Sequence, residues 1–356
     1  MNRPSATQAR LAPPIPVWPG RLVTVGAAEV FLRAAPAEPG AQPALCVHGL
    51  GGSSTNWTDL MDLLRRPDQA PGASMNGAEG LDPAWPRWPG GHPLACEALD
   101  MPGHGHSPPA RDGDYSVSAQ ARLTARLIER RGRGPVHLIG NSLGGAVCTK
   151  LAASRPDLIK TLTLISPALP DLRPRTVPAR ISAVRIPGLG IWMMRRAAKF
   201  PARQRVAVTL RDVYYDPEAV HPDRLAEEIA EVERRDTLGY VDDALLKSAS
   251  GVVSEYFRRG PAALWREAAQ ITADVLVIHG SHDRLVDPRM AARAARTFQH
   301  VRVVVLPKTG HVAMMERPVE VVREMRIMMT DAARRAAGLP ALTTPSGEQT
   351  SLRAAQ

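Results

Sequence analysis

With 356 residues, 44% of them hydrophobic and 22% charged, the chain has enough apolar material for a large buried core, and general disorder is excluded. A formal net charge of +10 and a pI near 10.1 invite comparison with polyanion binders. The arginines are scattered in short groups such as Arg65-Arg66 and Arg334-Arg335, so no nucleic acid is expected as a partner, and the charge implies at most a weak peripheral association with an anionic membrane.

Residues 1–20 and 338–356 are rich in Ala, Pro, Ser and Thr without apolar periodicity and read as flexible tails. The first of them has no apolar stretch of signal-peptide length, and no window approaches the roughly 18 apolar residues of a membrane span, so a cytoplasmic protein is expected. The odd set Cys46, Cys96 and Cys148 sits in segments that read as strand or helix, which predicts buried reduced thiols.

Between the tails, β-like runs alternate with helical patterns, the signature of a mostly parallel sheet wrapped by helices. The predicted strands are 21–25, 29–33, 44–47, 94–99, 136–139, 161–165, 275–278 and 301–306. The last two are near-continuous apolar runs, as for strands covered on both faces. Helices are predicted over 57–64, 116–131, 143–154, 288–297 and 318–336, with Asp287 as an N-cap before proline at the first helical position. Residues 66–93, crowded with Gly and Pro and containing Trp85 and Trp88, read as a long surface loop. From 167 to 270 the alternation stops and helical patterns replace it, as at 224–237 and 262–269. This stretch reads as a helical cap inserted after the sixth strand, between core segments 21–166 and 271–337. It follows a strand's carboxyl end, the side where open parallel sheets bind ligands.

The strongest chemical signal is VHLIGNSLGG from Val136, in which an apolar strand runs through Gly140-Asn141-Ser142-Leu143-Gly144 into a helix. In that context G-x-S-x-G is a nucleophile elbow: a sharp turn exposes the Ser142 hydroxyl, and the helix start aims the Leu143 amide at a developing oxyanion. Upstream, ALCVHGLGG from Ala44 ends another strand in a glycine turn, whose Leu50 amide is the expected second oxyanion donor. The turn lacks the spacing and the lysine of a phosphate-binding loop. Two later strands deliver Asp283 and His311 to loops. His311 is the expected base that takes the Ser142 proton, and Asp283 the acid that fixes the imidazole tautomer. Asp287 and Asp171 are alternative acids, the first better explained as a helix cap.

With these residues in place, the chain resembles α/β-hydrolase-fold serine hydrolases of carboxylesterase type across about residues 22–335. Four segments carry the resemblance: HGLGG at His48, DMPGHGHS at Asp100, GNSLGG at Gly140, and HDRLVDP with GHVAMMERP around Asp283 and His311. It implies an α/β fold with an eight-stranded, mostly parallel sheet, helices on both faces and a helical cap, no cofactor or metal, and cleavage of a small-molecule ester through an acyl-serine intermediate. The order Ser, Asp, His agrees with it. By the same resemblance His48 supports the oxyanion turn, and His104 and His106 are structural; the 66–93 loop is longer than the family's. GNSLGG is also similar to the elbows of hydrolases that cut carbon–carbon bonds of ring-fission products, but those carry a more open oxyanion turn, so ester cleavage is favoured. Relatives that bind without catalysis typically lack one of the three triad residues, and all three are present here. The apolar run 186–194 could line an acyl pocket for a small to medium chain or pack the cap on the core.

Overall fold

The computed structural model describes residues 15–67, 85–171 and 188–341. All eight expected strands form, as β1 (Gly20–Val25), β2 (Ala28–Ala34), β3 (Gln42–Val47), β4 (Leu94–Asp100), β5 (Val136–Asn141), β6 (Ile159–Ile165), β7 (Asp274–Gly280) and β8 (Val301–Leu306). They join in one sheet of order β1-β2-β4-β3-β5-β6-β7-β8. β1 and β2 are a hairpin, and β2 meets β4 antiparallel. The other six strands are parallel, with Ala44 opposite His137 and Leu164 opposite Val277.

Side chains alternate across a strand, so each central strand feeds two cores. On one face Leu45, Val47, Leu138 and Leu164 pack with α2 (Val117–Arg131) and α3 (Leu143–Ser154). On the other, Cys46, Ile139 and Ile278 pack with α1 (Thr58–Leu64) and α11 (Pro318–Ala336). Leu138 and Ile139 are fully buried, and truncating either to alanine costs about 2–5 kcal/mol. The three cysteines are free and buried. No helix of the described residues is long and apolar enough to cross a membrane.

Four expectations are corrected. β8 pairs only with β7 and lies at the sheet edge, so Val301, Val303 and Val304 are half-buried and Val305 is exposed: both faces are covered only in part, with Val301 and Val303 against one core and Val304 and Leu306 against the other. The helix expected from Pro288 starts two residues later, as α9 (Met290–Thr297), although the Asp287 carboxylate still accepts the Arg289 amide at 2.9 Å. The chain docks before Arg21: Trp18 donates its indole N–H to the Thr58 carbonyl at 3.0 Å. Finally, part of the 66–93 loop (68–84) lies outside the described residues, but its two ends are anchored. Trp88 is buried, donates to the Arg66 carbonyl at 3.0 Å and lies under the buried Arg326 guanidinium, 4.2 Å from its ring centre.

Between β6 and β7 the chain forms α4 (Leu189–Ala197), α5 (Ala202–Val213), α6 (Pro222–Asp236), α7 (Val241–Phe257) and α8 (Leu264–Ala268). α10 (Ala313–Glu316) follows the loop after β8. Residues 186 and 187 of the expected pocket-lining run lie outside the described residues, and the middle of the run neither packs inward nor lines the site. Ile191, Trp192 and Met193 are exposed and do not line the cavity into which Ser142 opens.

Candidate active site

The elbow is built by close approach. A β-carbon on Gly144 would lie 2.1 Å from the Val47 carbonyl oxygen, and one on Gly140 2.6 Å from that of Gly144, so only glycine lets β3, β5 and α3 meet here. Between them Ser142 adopts φ 52° and ψ −117°, a backbone state costing a non-glycine residue about 1–3 kcal/mol. Three backbone hydrogen bonds hold it there. Its N–H donates to the Ile165 carbonyl (3.1 Å), and its own carbonyl accepts the amides of Ala146 (3.1 Å) and Ala168 (2.9 Å).

Opposite the serine, the glycine turn after β3 is pinned by His48. The Met101 amide donates to Nε2 at 3.0 Å, so Nε2 is the unprotonated nitrogen; Nδ1 therefore carries the proton and donates to the Gly49 carbonyl at 2.7 Å. Burial lowers the pKa of this ring, consistent with its neutral form. Leu50 and Leu143 both line the same cavity as Ser142. Neither of their N–H groups donates to another protein atom among the described residues.

The imidazole of His311 places Nδ1 2.9 Å from Oδ2 of Asp283. The other carboxylate oxygen of Asp283 accepts the amides of Leu285 (2.8 Å) and Val286 (2.9 Å), and the residue is fully buried. Burial alone drives this carboxyl upward, but the His311 ring beside it and the amide of Val286 outweigh that and hold it below the usual carboxylate range. Asp287 is engaged instead by the Arg289 guanidinium at 2.6 Å, and the charge of Asp171 acts on Arg289 and Arg293.

Two residues without a chemical motif of their own complete the frame. Asn141 donates from Nδ2 to the carbonyls of Ile165 (3.0 Å) and His311 (3.1 Å), and Glu316 accepts the amides of Gly310 (2.7 Å) and Tyr215 (2.8 Å). The His311 amide donates to the Val213 carbonyl at 2.7 Å. Only the variable position inside G-x-S-x-G hinted at Asn141, and Glu316 stood within GHVAMMERP with nothing to signal its role.

The DMPGHGHS loop folds around its own aspartate. Buried Asp100 accepts the amides of Ser54 (2.5 Å) and His106 (2.8 Å), while His104 is buried with its pKa pushed down to about 3 by burial. Neither His104 nor His106 lines the cavity.

Ser142 and His311 open into one cavity of about 400 Å³. Its apolar wall includes Leu210, Val213, Val253 and Phe257 from the helices between β6 and β7, and Val286 and Met315 from the core. Asn56 and Glu228 add a polar corner, joined at 3.3 Å, where burial raises the Glu228 carboxyl toward its protonated form. A hydroxyl on a strained turn, an imidazole oriented by a carboxylate and two unspent amides around an apolar cavity are the parts that acyl transfer needs.

A family model described as alpha/beta hydrolase fold matches residues 43–318. An esterase of Mycobacterium tuberculosis is 26% identical over 64% of this chain and 72% of its own length. A monoacylglycerol lipase of Xenopus laevis is 26% identical over 85% of this chain and 78% of its own. A 2-hydroxy-6-oxo-6-phenylhexa-2,4-dienoate hydrolase from Rhodococcus shares the fold, with a TM-score of 0.62 at 19% identity over 87% of this chain and 98% of that one. The chain belongs to the alpha/beta hydrolase fold family.

Proposed function

We propose that the protein is a serine hydrolase that cleaves a carboxylic ester with a small to medium apolar acyl chain. His311 takes the Ser142 proton as the hydroxyl oxygen attacks the ester carbonyl, and the amides of Leu50 and Leu143 receive the charge on the carbonyl oxygen. The imidazolium then protonates the departing alcohol, leaving an acyl-serine that water hydrolyses by the same route in reverse order of roles. Asp283 holds the imidazole with Nδ1 protonated, so that Nε2 is free to act as the base. The helices of 167–270 act as a cap, and Leu210, Val253 and Phe257 receive the acyl chain. Buried free thiols agree with a reducing, cytoplasmic setting.

The observation that carries this reading is the 2.9 Å contact between His311 and Asp283 at a cavity shared with Ser142. Relatives named esterase and lipase support the ester as substrate class. The test is a panel of p-nitrophenyl esters of increasing acyl length beside a ring-fission dienoate, with Ser142→Ala as the blank. Ester turnover abolished by that substitution is the expected result. Turnover of the dienoate alone assigns carbon–carbon bond hydrolysis instead, and no serine-dependent turnover of either sinks the reading.

A further inference from the structure

From Gly188 to Arg211 the sequence contains no aspartate or glutamate, while Arg195, Arg196, Lys199, Arg203, Arg205 and Arg211 supply positive charge. Embedded in this stretch is the apolar run Ile191-Trp192-Met193-Met194. A helix of a water-soluble domain ordinarily turns such residues inward. α4 does not: Ile191 is 50% exposed and Trp192 59%, and Phe200, just beyond the helix, is 51% exposed. The Arg196 guanidinium lies 5.9 Å from the centre of the Trp192 ring, so charge and aromatic surface are presented together.

The pairing of cations is selective. Elsewhere around the same helices arginines are matched by acids, as Arg224 is by Asp59 and Arg235 by Glu231. Arg195, Arg196, Lys199 and Arg203 have no carboxylate within ion-pair distance among the described residues. Unmatched cations around exposed Trp, Ile and Phe are what an anionic lipid interface complements: the rings and aliphatic groups sink to the headgroup–acyl boundary while the cations meet phosphates. A second copy of the chain would bring the same cations against one another.

The patch also lies close to the cavity. α4 packs on α7, whose last residue, Phe257, both lines the cavity and is 71% exposed. α5 exposes Val208 beside the cavity-lining Thr209 and Leu210.

We propose that α4 with Phe200 is a docking face for anionic lipid surfaces, and that the protein takes acyl-lipid esters from that surface. The docking stands on the patch alone; the choice of substrate rests on the ester hydrolase reading above.

The test is co-sedimentation of the full chain with vesicles of phosphatidylcholine, with or without phosphatidylglycerol, at low and high salt. The proteins are the native sequence, Ile191→Asp/Trp192→Asp, Arg195→Glu/Arg196→Glu and Ser142→Ala. Expected are salt-sensitive binding of the native protein to phosphatidylglycerol vesicles, binding weaker by roughly tenfold or more in both patch variants, and undiminished binding by Ser142→Ala. Turnover of a short water-soluble ester by the patch variants at the native rate shows that they are folded and leaves the site out of account. The docking is overturned if the native protein ignores phosphatidylglycerol vesicles, or if both patch variants bind as it does. It is also overturned if the native protein is a dimer that Ile191→Asp/Trp192→Asp splits, which assigns the face to a second copy. Vesicle binding without serine-dependent turnover of any ester would overturn the hydrolase reading and the lipid substrate together, while the docking face stood.

Discussion

The side-chain nitrogen of Asn141 lies 3.1 Å from the carbonyl oxygen of His311, so the residue before the serine holds the loop that carries the histidine. The same nitrogen reaches the Ile165 carbonyl, joining the ends of β5 and β6 to that loop. Replacing Asn141 with alanine takes this donor from the buried His311 carbonyl, at about 1–3 kcal/mol, while the Ile165 carbonyl keeps the Ser142 amide. For Asn141→Ala we expect lower stability in urea unfolding and a fall in kcat of about tenfold, with KM for a soluble ester little changed. An unchanged kcat would mean that His311 needs no such tie.

Asp283→Asn keeps the shape of the side chain but replaces an acceptor with an amide whose donors compete for the imidazole. Under the proposed reaction the wrong tautomer results, and kcat should drop by about 10⁴ with the circular dichroism spectrum retained. Asp287→Asn, which acts on the Arg289 pair and the turn before α9, should leave kcat near its native value in the same assay.

Buried histidines set the response to acid. Burial pushes His104 and His137 down to about 3 and His279 to about 4, against 6.5 for an unhindered ring. Below pH 6.5 the unfolded chain therefore binds protons that the folded chain refuses, and stability falls as pH falls, by up to about 1.4 kcal/mol per pH unit for each ring. Depressed Asp283 acts in the same direction at lower pH, its contribution being lost as pH drops through its folded value. Thermal melts between pH 7 and pH 4 should show a declining Tm. Among the described residues the His137 ring bonds the side chains of Thr161 and Gln42, so His137→Gln should flatten that slope.

Arg326 is buried on α11 with its guanidinium over Trp88, donating to the Pro86 carbonyl at 3.0 Å. Arg326→Met keeps the length and removes the donors and the cation–π contact. We expect a loss of about 2–4 kcal/mol in urea unfolding and earlier protease nicking within 66–93, with activity at low temperature preserved. Equal stability of the two proteins would show that this anchoring is dispensable.

Much of the fold was legible because the central strands are apolar runs ending in glycine turns, a signal that lies within ten residues. β8 was read as more deeply covered than it is, because a string of valines does not reveal that no further strand pairs beyond it. The placing of Ser142, Asp283 and His311 just beyond strand ends was legible from the apolar runs before them. Asn141 and Glu316 were not, since an amide or a carboxylate reveals its role only once a carbonyl or an amide distant in sequence arrives beside it. The run 186–194 misled for a related reason: composition marks Trp192 as core-like, and only its exposure in the fold shows it to be surface.

Three of the bonds from the segment between β6 and β7 reach the turns that carry the glycines after β3 and His311. Arg235 of α6 donates to the Gly51 carbonyl at 2.7 Å, Val213 of α5 accepts the His311 amide, and Tyr215 just beyond it is held by Glu316. These helices are thus no detachable module. A chimera that exchanged them for those of another hydrolase would alter where the imidazole and the glycine turn come to rest, so transplanting them would call for re-engineering those three seams along with the apolar cavity wall.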